Sequence, residues 1–124
     1  MVLATPTTVL LVEDLDSLRV ITRRILERNG FRVLTAPNGS VALETLAQHA
    51  GEVNVLLSDV AMPEVNGIKL AQEVRTRFPD VKIILMSGYG AESLEGMGVN
   101  RLMDTVVLKP FTAETLVSAL QRAT

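Results

Sequence analysis

The chain has 124 residues and contains no cysteine and no tryptophan, with one tyrosine and three phenylalanines. Without cysteine there is neither a disulfide framework nor a thiolate metal site. Charge of one sign is lacking too. Lys and Arg total 12 against 14 Asp and Glu, a formal net charge of −2, which gives no overall basic footprint for nucleic acid. No apolar run approaches the ~18 residues that span a membrane, and the N-terminus lacks a basic stretch followed by an apolar core. What is present is a 48% apolar composition, too high for a disordered chain. The length suits one domain, since domains cluster at about 100–150 residues. Such a chain buries about two-thirds of its unfolded surface, enough for a core without staples.

The order of apolar runs sets the architecture. Met1 to Thr8 has no periodicity and reads as a leader, with one domain over 9–124. Val9-Leu10-Leu11-Val12 is a continuous apolar run, the pattern of a strand buried on both faces. Asp14-Leu15-Asp16-Ser17 offers helix-capping residues. Leu18, Ile21, Ile25 and Leu26 recur at helical spacing, and Asn29-Gly30 stops that helix. A short strand over 31–36 and a helix over 41–50 follow, separated by Pro37-Asn38-Gly39. Strand-like runs at 53–58, 81–86 and 106–108 alternate with a helix opened at Asn66-Gly67, a glycine-rich segment over 88–98 and a last helix capped by Thr112. Five β-α units in alternation predict an α/β fold with a doubly wound, five-stranded parallel sheet, flavodoxin-like, in the order 2-1-3-4-5. In that topology the ligand site lies at the carboxyl ends of the strands, near the switch between strands 1 and 3.

Chemistry gathers at those ends. Glu13 and Asp14 follow strand 1, Asp59 follows strand 3, Ser87 ends strand 4, and Lys109-Pro110 ends strand 5. Three carboxylates on one rim repel one another unless a cation intervenes. Lys109 can pair with one of them. A hard divalent cation can take oxygens from the others, and Mg²⁺ suits a site of one or two carboxylates, waters and phosphate oxygens. A hydroxyl, an ammonium and a metal together clamp a phosphoryl group. An aspartate held there can act as a nucleophile and form an acyl phosphate.

The stretches Val9-Leu10-Leu11-Val12-Glu13-Asp14, Ser58-Asp59-Val60-Ala61-Met62-Pro63, Asn66-Gly67, Ser87-Gly88 and Lys109-Pro110-Phe111 resemble the response-regulator receiver domains of two-component systems. Each is weak alone. Their order and spacing, 45 residues from Asp14 to Asp59, 28 to Ser87 and 22 to Lys109, are specific. The resemblance implies that Asp59 is the phosphoacceptor, served by a histidine kinase or a histidine phosphotransfer protein. It implies that Asp14 and Glu13 hold Mg²⁺ with Asp59 and the Ala61 backbone carbonyl. Ser87 and Lys109 would contact phosphoryl oxygens, and the Lys109–Pro110 peptide would be cis, as is frequent in the family. It also implies a cytoplasmic signalling module, a monomer or weak dimer, that binds neither nucleic acid nor membrane through this domain. Modification adds about −1.5 to −2 charges, and the new oxygens would draw Ser87 inward and bias a two-state element.

Two departures stand out. The family usually places an aromatic residue three positions before the lysine, where this chain has Val106, and Tyr89 is the expected substitute in the switch. Gly88, Gly90, Gly96 and Gly98 predict a short or mobile fourth helix, because each costs about 1 kcal/mol against alanine. The first helix carries Arg19, Arg23, Arg24 and Arg28. Its basic face is either merely solvated or a docking surface for the partner through Arg19 and Arg23. His49 has no partner set for a metal, and Met62, Met86, Met97 and Met103 read as packing residues.

Rival functions remain open. An aspartyl-nucleophile phosphatase would carry an acid two residues after Asp59, where Ala61 stands. A degenerate receiver used only for binding would not need the full acid set. A cofactor-binding flavodoxin-like domain would want a phosphate loop where Glu13-Asp14 puts negative charge. The Ser-Gly-Tyr and Lys-Pro-Phe runs resemble receivers attached to hybrid histidine kinases. The formal charge of the proposed site, −2, equals that of the whole chain, so a nearly neutral protein is a polarised one.

Overall fold

A computed structural model describes residues 6–60, 67–87, 105–109 and 111–123. Its strands are β1 (Thr8–Val12), β2 (Arg32–Ala36), β3 (Val55–Asp59), β4 (Lys82–Ser87) and β5 (Thr105–Leu108). Its helices are α1 (Asp16–Arg28), α2 (Gly39–Gln48), α3 (Gly67–Arg77) and α4 (Ala113–Ala123). The strands form one sheet in the order β2-β1-β3-β4-β5, and every pairing is parallel. The helix expected within 88–98 lies outside the described residues.

The continuous apolar runs explain the layering. Successive strand residues point to opposite faces, so one sequence feeds two cores. Leu10, Val12, Leu56, Ile83 and Leu85 pack with Ala42 and Leu46 of α2 and Leu70, Ala71 and Val74 of α3. Val9, Leu11, Val55, Leu57, Ile84, Met86 and Val107 pack with Leu26 of α1 and Leu116, Ala119 and Leu120 of α4. β1 and β3 are buried along their whole length, as central strands covered on both faces must be.

Local signals set the element ends. Gly30, at φ 89°, ends α1: its N–H donates to the Glu27 carbonyl and the Phe31 N–H to that of Leu26, a Schellman motif. Asn38 caps α2 through its side-chain oxygen, which accepts from the Val41 N–H at 2.9 Å. Thr112 Oγ1 accepts from the Thr115 N–H at the start of α4. α1 departs from expectation. Its N-cap is Leu15, with no side-chain cap bond, so the acids offered as caps serve elsewhere. Its apolar positions also divide: Leu26 is buried, while Leu18 and Ile21 are 39% and 54% exposed. No helix among the described residues is long and apolar enough to cross a membrane.

Candidate functional site

The parallel register brings the carboxyl ends of β1, β3, β4 and β5 to one rim. Val12 lies beside Ser58, Asp59 beside Met86, and Ser87 beside Leu108. Asp59 and Ser87, the last residues of β3 and β4, and Glu13 and Lys109, which follow β1 and β5, are therefore delivered to the same edge. Glu13, Asp14 and Asp59 each offer a carboxylate oxygen, and these oxygens all lie within 4.8 Å of one another. Glu13, Asp59 and Ser87 are buried polar residues, as is Ser58 beside Asp59, in a core that is mostly apolar.

Lys109 reaches this cluster from the end of β5. Its Nζ donates to Asp59 Oδ2 at 2.6 Å, and only 7% of the Asp59 side chain is exposed. The backbone holds the same geometry: the Lys109 N–H donates to the Ser87 carbonyl at 2.7 Å, and the Val60 N–H to the Met86 carbonyl at 3.0 Å. The ammonium balances one negative charge and leaves the others in conflict. Glu13 absorbs that conflict. Burial, the nearby Asp59 charge and a hydrogen bond with the Asp59 carboxyl push its pKa up to about 7; Lys109 and the Leu15 N–H pull the other way. A proton thus does part of the work that a cation could do. The donors are all oxygens, which suits a hard divalent cation and not a soft metal.

Of the expected site residues, Glu13, Asp14, Asp59, Ser87 and Lys109 come to this rim. Ala61, Tyr89 and Pro110 lie outside the described residues, as do Met62, Met97 and Met103; the Val106 backbone pairs in β5. Arg19 and Arg23 diverge. Arg23 pairs with Glu27 at 3.3 Å on the exposed face of α1. Arg19 turns toward the site, its Nη1 donating to the Glu13 carbonyl at 2.8 Å and its Nη2 to the Asp16 carboxylate. His49 pairs with Glu52, and Met86 is in the core.

Three features were not read from the sequence. One is that Glu13 is the carboxylate whose pKa rises, by burial and by its charge and hydrogen-bond contacts with Asp59. Another is Gly67, where an added Cβ would overlap the Asp59 carbonyl oxygen. The Gly67 N–H also donates to the Val60 carbonyl, so α3 starts against the backbone that carries Asp59. The third is an apolar groove of about 470 Å³ beside the acids, lined in part by Leu18, Ile21, Ile25 and Phe111. The outward apolar positions of α1 were its only signal.

Comparison with known proteins agrees with this geometry. The chain is 44% identical over 86 residues to the sensor kinase CckA of Brucella abortus, an alignment covering 69% of this chain and 9% of that protein. It is 32% identical to the response regulator receiver protein CpdR of the same species, covering 92% of this chain and 93% of that one. The crystal structure of the response regulator TrrA of Thermotoga maritima in complex with Mg²⁺-BeF superposes with a TM-score of 0.85 at 26% identity, covering 95% and 99% of the two chains. Residues 9–121 match the response regulator receiver domain as a family. With the acids, the hydroxyl and the ammonium on one rim of a 2-1-3-4-5 sheet, this chain belongs to the receiver domains, the signalling modules of two-component phosphorelay systems.

Proposed function

We propose that Asp59 accepts a phosphoryl group from a phosphohistidine on a histidine kinase or histidine phosphotransfer protein. The observation that carries this is the Asp59 carboxylate, buried against Lys109 at 2.6 Å within a cluster of two further acids. In the transfer an Asp59 oxygen bonds to phosphorus while the phosphorus–nitrogen bond to histidine breaks, and the nitrogen keeps the electron pair. Glu13, Asp14 and Asp59, with the Ala61 carbonyl, would hold Mg²⁺. The metal would neutralise charge on the phosphoryl oxygens.

Lys109 already holds one oxygen of the acceptor carboxylate, Oδ2, so it orients the group and then pairs with a phosphoryl oxygen. Ser87 supplies a hydroxyl at the end of β4 for another oxygen, and its movement, with Tyr89 in place of the strand-5 aromatic, biases the conformational switch. The partner docks on α1, where Leu15, Leu18 and Ile21 form an outward apolar stripe beside the acids and Arg23 faces solvent. Residues 9–124 act as the receiver unit behind a short leader, in the cytoplasm, as a monomer or weak dimer. The kinase similarity favours a receiver belonging to a hybrid kinase. The chain catalyses only its own phosphorylation and dephosphorylation.

Incubation with a small-molecule phosphodonor and Mg²⁺, followed by intact mass, tests this reading. One adduct of about 80 Da, the mass of a phosphoryl group, is expected on the wild type. It should be absent in Asp59→Asn. Repeated turnover of a phosphoester without an adduct would identify a phosphatase instead.

A further inference from the structure

We infer that Arg19 is a positioning residue for the acidic site: its guanidinium pins the peptide that links Glu13 to Asp14. The inference rests on the reading of these acids as metal ligands. Arg19 Nη1 donates to the Glu13 carbonyl at 2.8 Å, and Nη2 bonds the Asp16 carboxylate on the first turn of α1. The side chain is only 20% exposed, far less than its Asp16 partner at 87%. Its backbone N–H donates to the Leu15 carbonyl at 2.9 Å, so one residue holds the turn at both ends.

The turn needs this hold. Glu13 is anchored on its other side by its N–H, which donates to the Ala36 carbonyl of β2 at 3.1 Å. Beyond Glu13 the chain leaves the sheet, and α1 begins at Leu15 with no side-chain cap. The segment carries two carboxylates with oxygens within 4.8 Å of one on Asp59, which repels them when all are ionised, as they are when they hold a metal. Glu13, held to β2 through its N–H and to the guanidinium through its carbonyl, resists that outward push. The fork geometry matters, because two donors in one plane reach a backbone acceptor and a helix carboxylate together, which a single ammonium does not reproduce.

Charge and position predict opposite signs for metal binding, and this makes the inference testable. Removing a nearby positive charge strengthens the attraction of the site for a dication. Losing the pin weakens it by misplacing two ligands, and groups behind metal ligands act on the scale of about tenfold. Mg²⁺ alone is titrated calorimetrically into the full chain as wild type, Arg19→Gln and Arg19→Lys. Metal-free denaturation midpoints establish that each variant is folded.

Positioning predicts Mg²⁺ binding weakened about tenfold in Arg19→Gln. It predicts a loss in Arg19→Lys as well, despite the retained charge. Arg19→Lys keeps the charge, so a loss there reports position alone. It carries the test if Arg19→Gln does not fold. Unchanged or tighter Mg²⁺ binding in folded Arg19→Gln, or in Arg19→Lys where it stands in, overturns the inference while leaving the metal site intact. No binding of Mg²⁺ by the wild type overturns the metal reading itself, and this inference with it.

Discussion

At the scale of the residue, the site is a problem of crowded negative charge with three partial solutions. Lys109 pairs with Asp59, Glu13 takes up a proton near neutrality, and Arg19 holds the backbone between Glu13 and Asp14. Glu13 has a consequence for stability. Its pKa rises from 4.5 in the unfolded chain to about 7 in the fold, so the folded protein binds the extra proton between those values. By linkage the metal-free protein is favoured by that proton below pH 4.5 and loses the contribution as pH rises through 7. Denaturant midpoints measured across this window should fall with rising pH in the wild type, and Glu13→Gln should flatten the curve. An identical slope in both would contradict the assignment. Gly67 is the second residue with a sharp expectation. A methyl group there would overlap the Asp59 carbonyl oxygen and meet Val60 Cα at 2.9 Å. Gly67→Ala should cost about 1–3 kcal/mol by overpacking, and it should slow adduct formation at Asp59 by displacing its backbone. The acids and Lys109 were legible in the sequence because each follows an apolar run. Gly67 was legible only as a helix opener, since a close backbone approach leaves no mark in periodicity.

At the scale of the element, turn chemistry and strand pattern agreed with the structure where a local rule decides. Asn38, Thr112 and Gly30 each occupy the terminal position that their type suggests. Asn38→Ala should therefore lower stability by about 0.5–2 kcal/mol, the scale of a lost N-cap, measured by chemical denaturation. Helix α1 is where local rules gave way. Its first-turn acids do not cap it, because Asp16 serves the Arg19 fork and Asp14 joins the acidic rim. Its helical apolar spacing does not mark a buried face throughout, because Leu18 and Ile21 look outward beside Phe111. Spacing reports that a stripe exists, not whether the domain or a partner covers it. Leu18→Ser with Ile21→Ser should change stability by less than about 1 kcal/mol, as surface substitutions do. The pair should slow phosphoryl transfer from a phosphohistidine protein several-fold while leaving phosphorylation by a small-molecule donor unchanged. Equal slowing with both donors would remove α1 from partner recognition.

At the scale of the whole molecule, one topology explains why so few residues suffice. A parallel sheet aligns its carboxyl ends, and the order β2-β1-β3-β4-β5 sets the acids of β1 and β3 side by side at the switch point. Apolar runs buried on both faces made that order readable, because few right-handed topologies satisfy five alternating units. The same sheet divides the core into two clusters, so the rim rests on rigid strands while α1 remains free to face a partner. The proposed function turns on Asp59 being, among three neighbouring carboxylates, the one that takes the phosphoryl group. The most direct measurement is reductive trapping: the protein is treated with a phosphodonor and Mg²⁺, reduced with borohydride, digested, and mapped by peptide mass. Conversion of an acyl phosphate to the alcohol at position 59 alone is the predicted result. Conversion at Glu13 or Asp14, or no conversion in folded, Mg²⁺-bound protein, would contradict it.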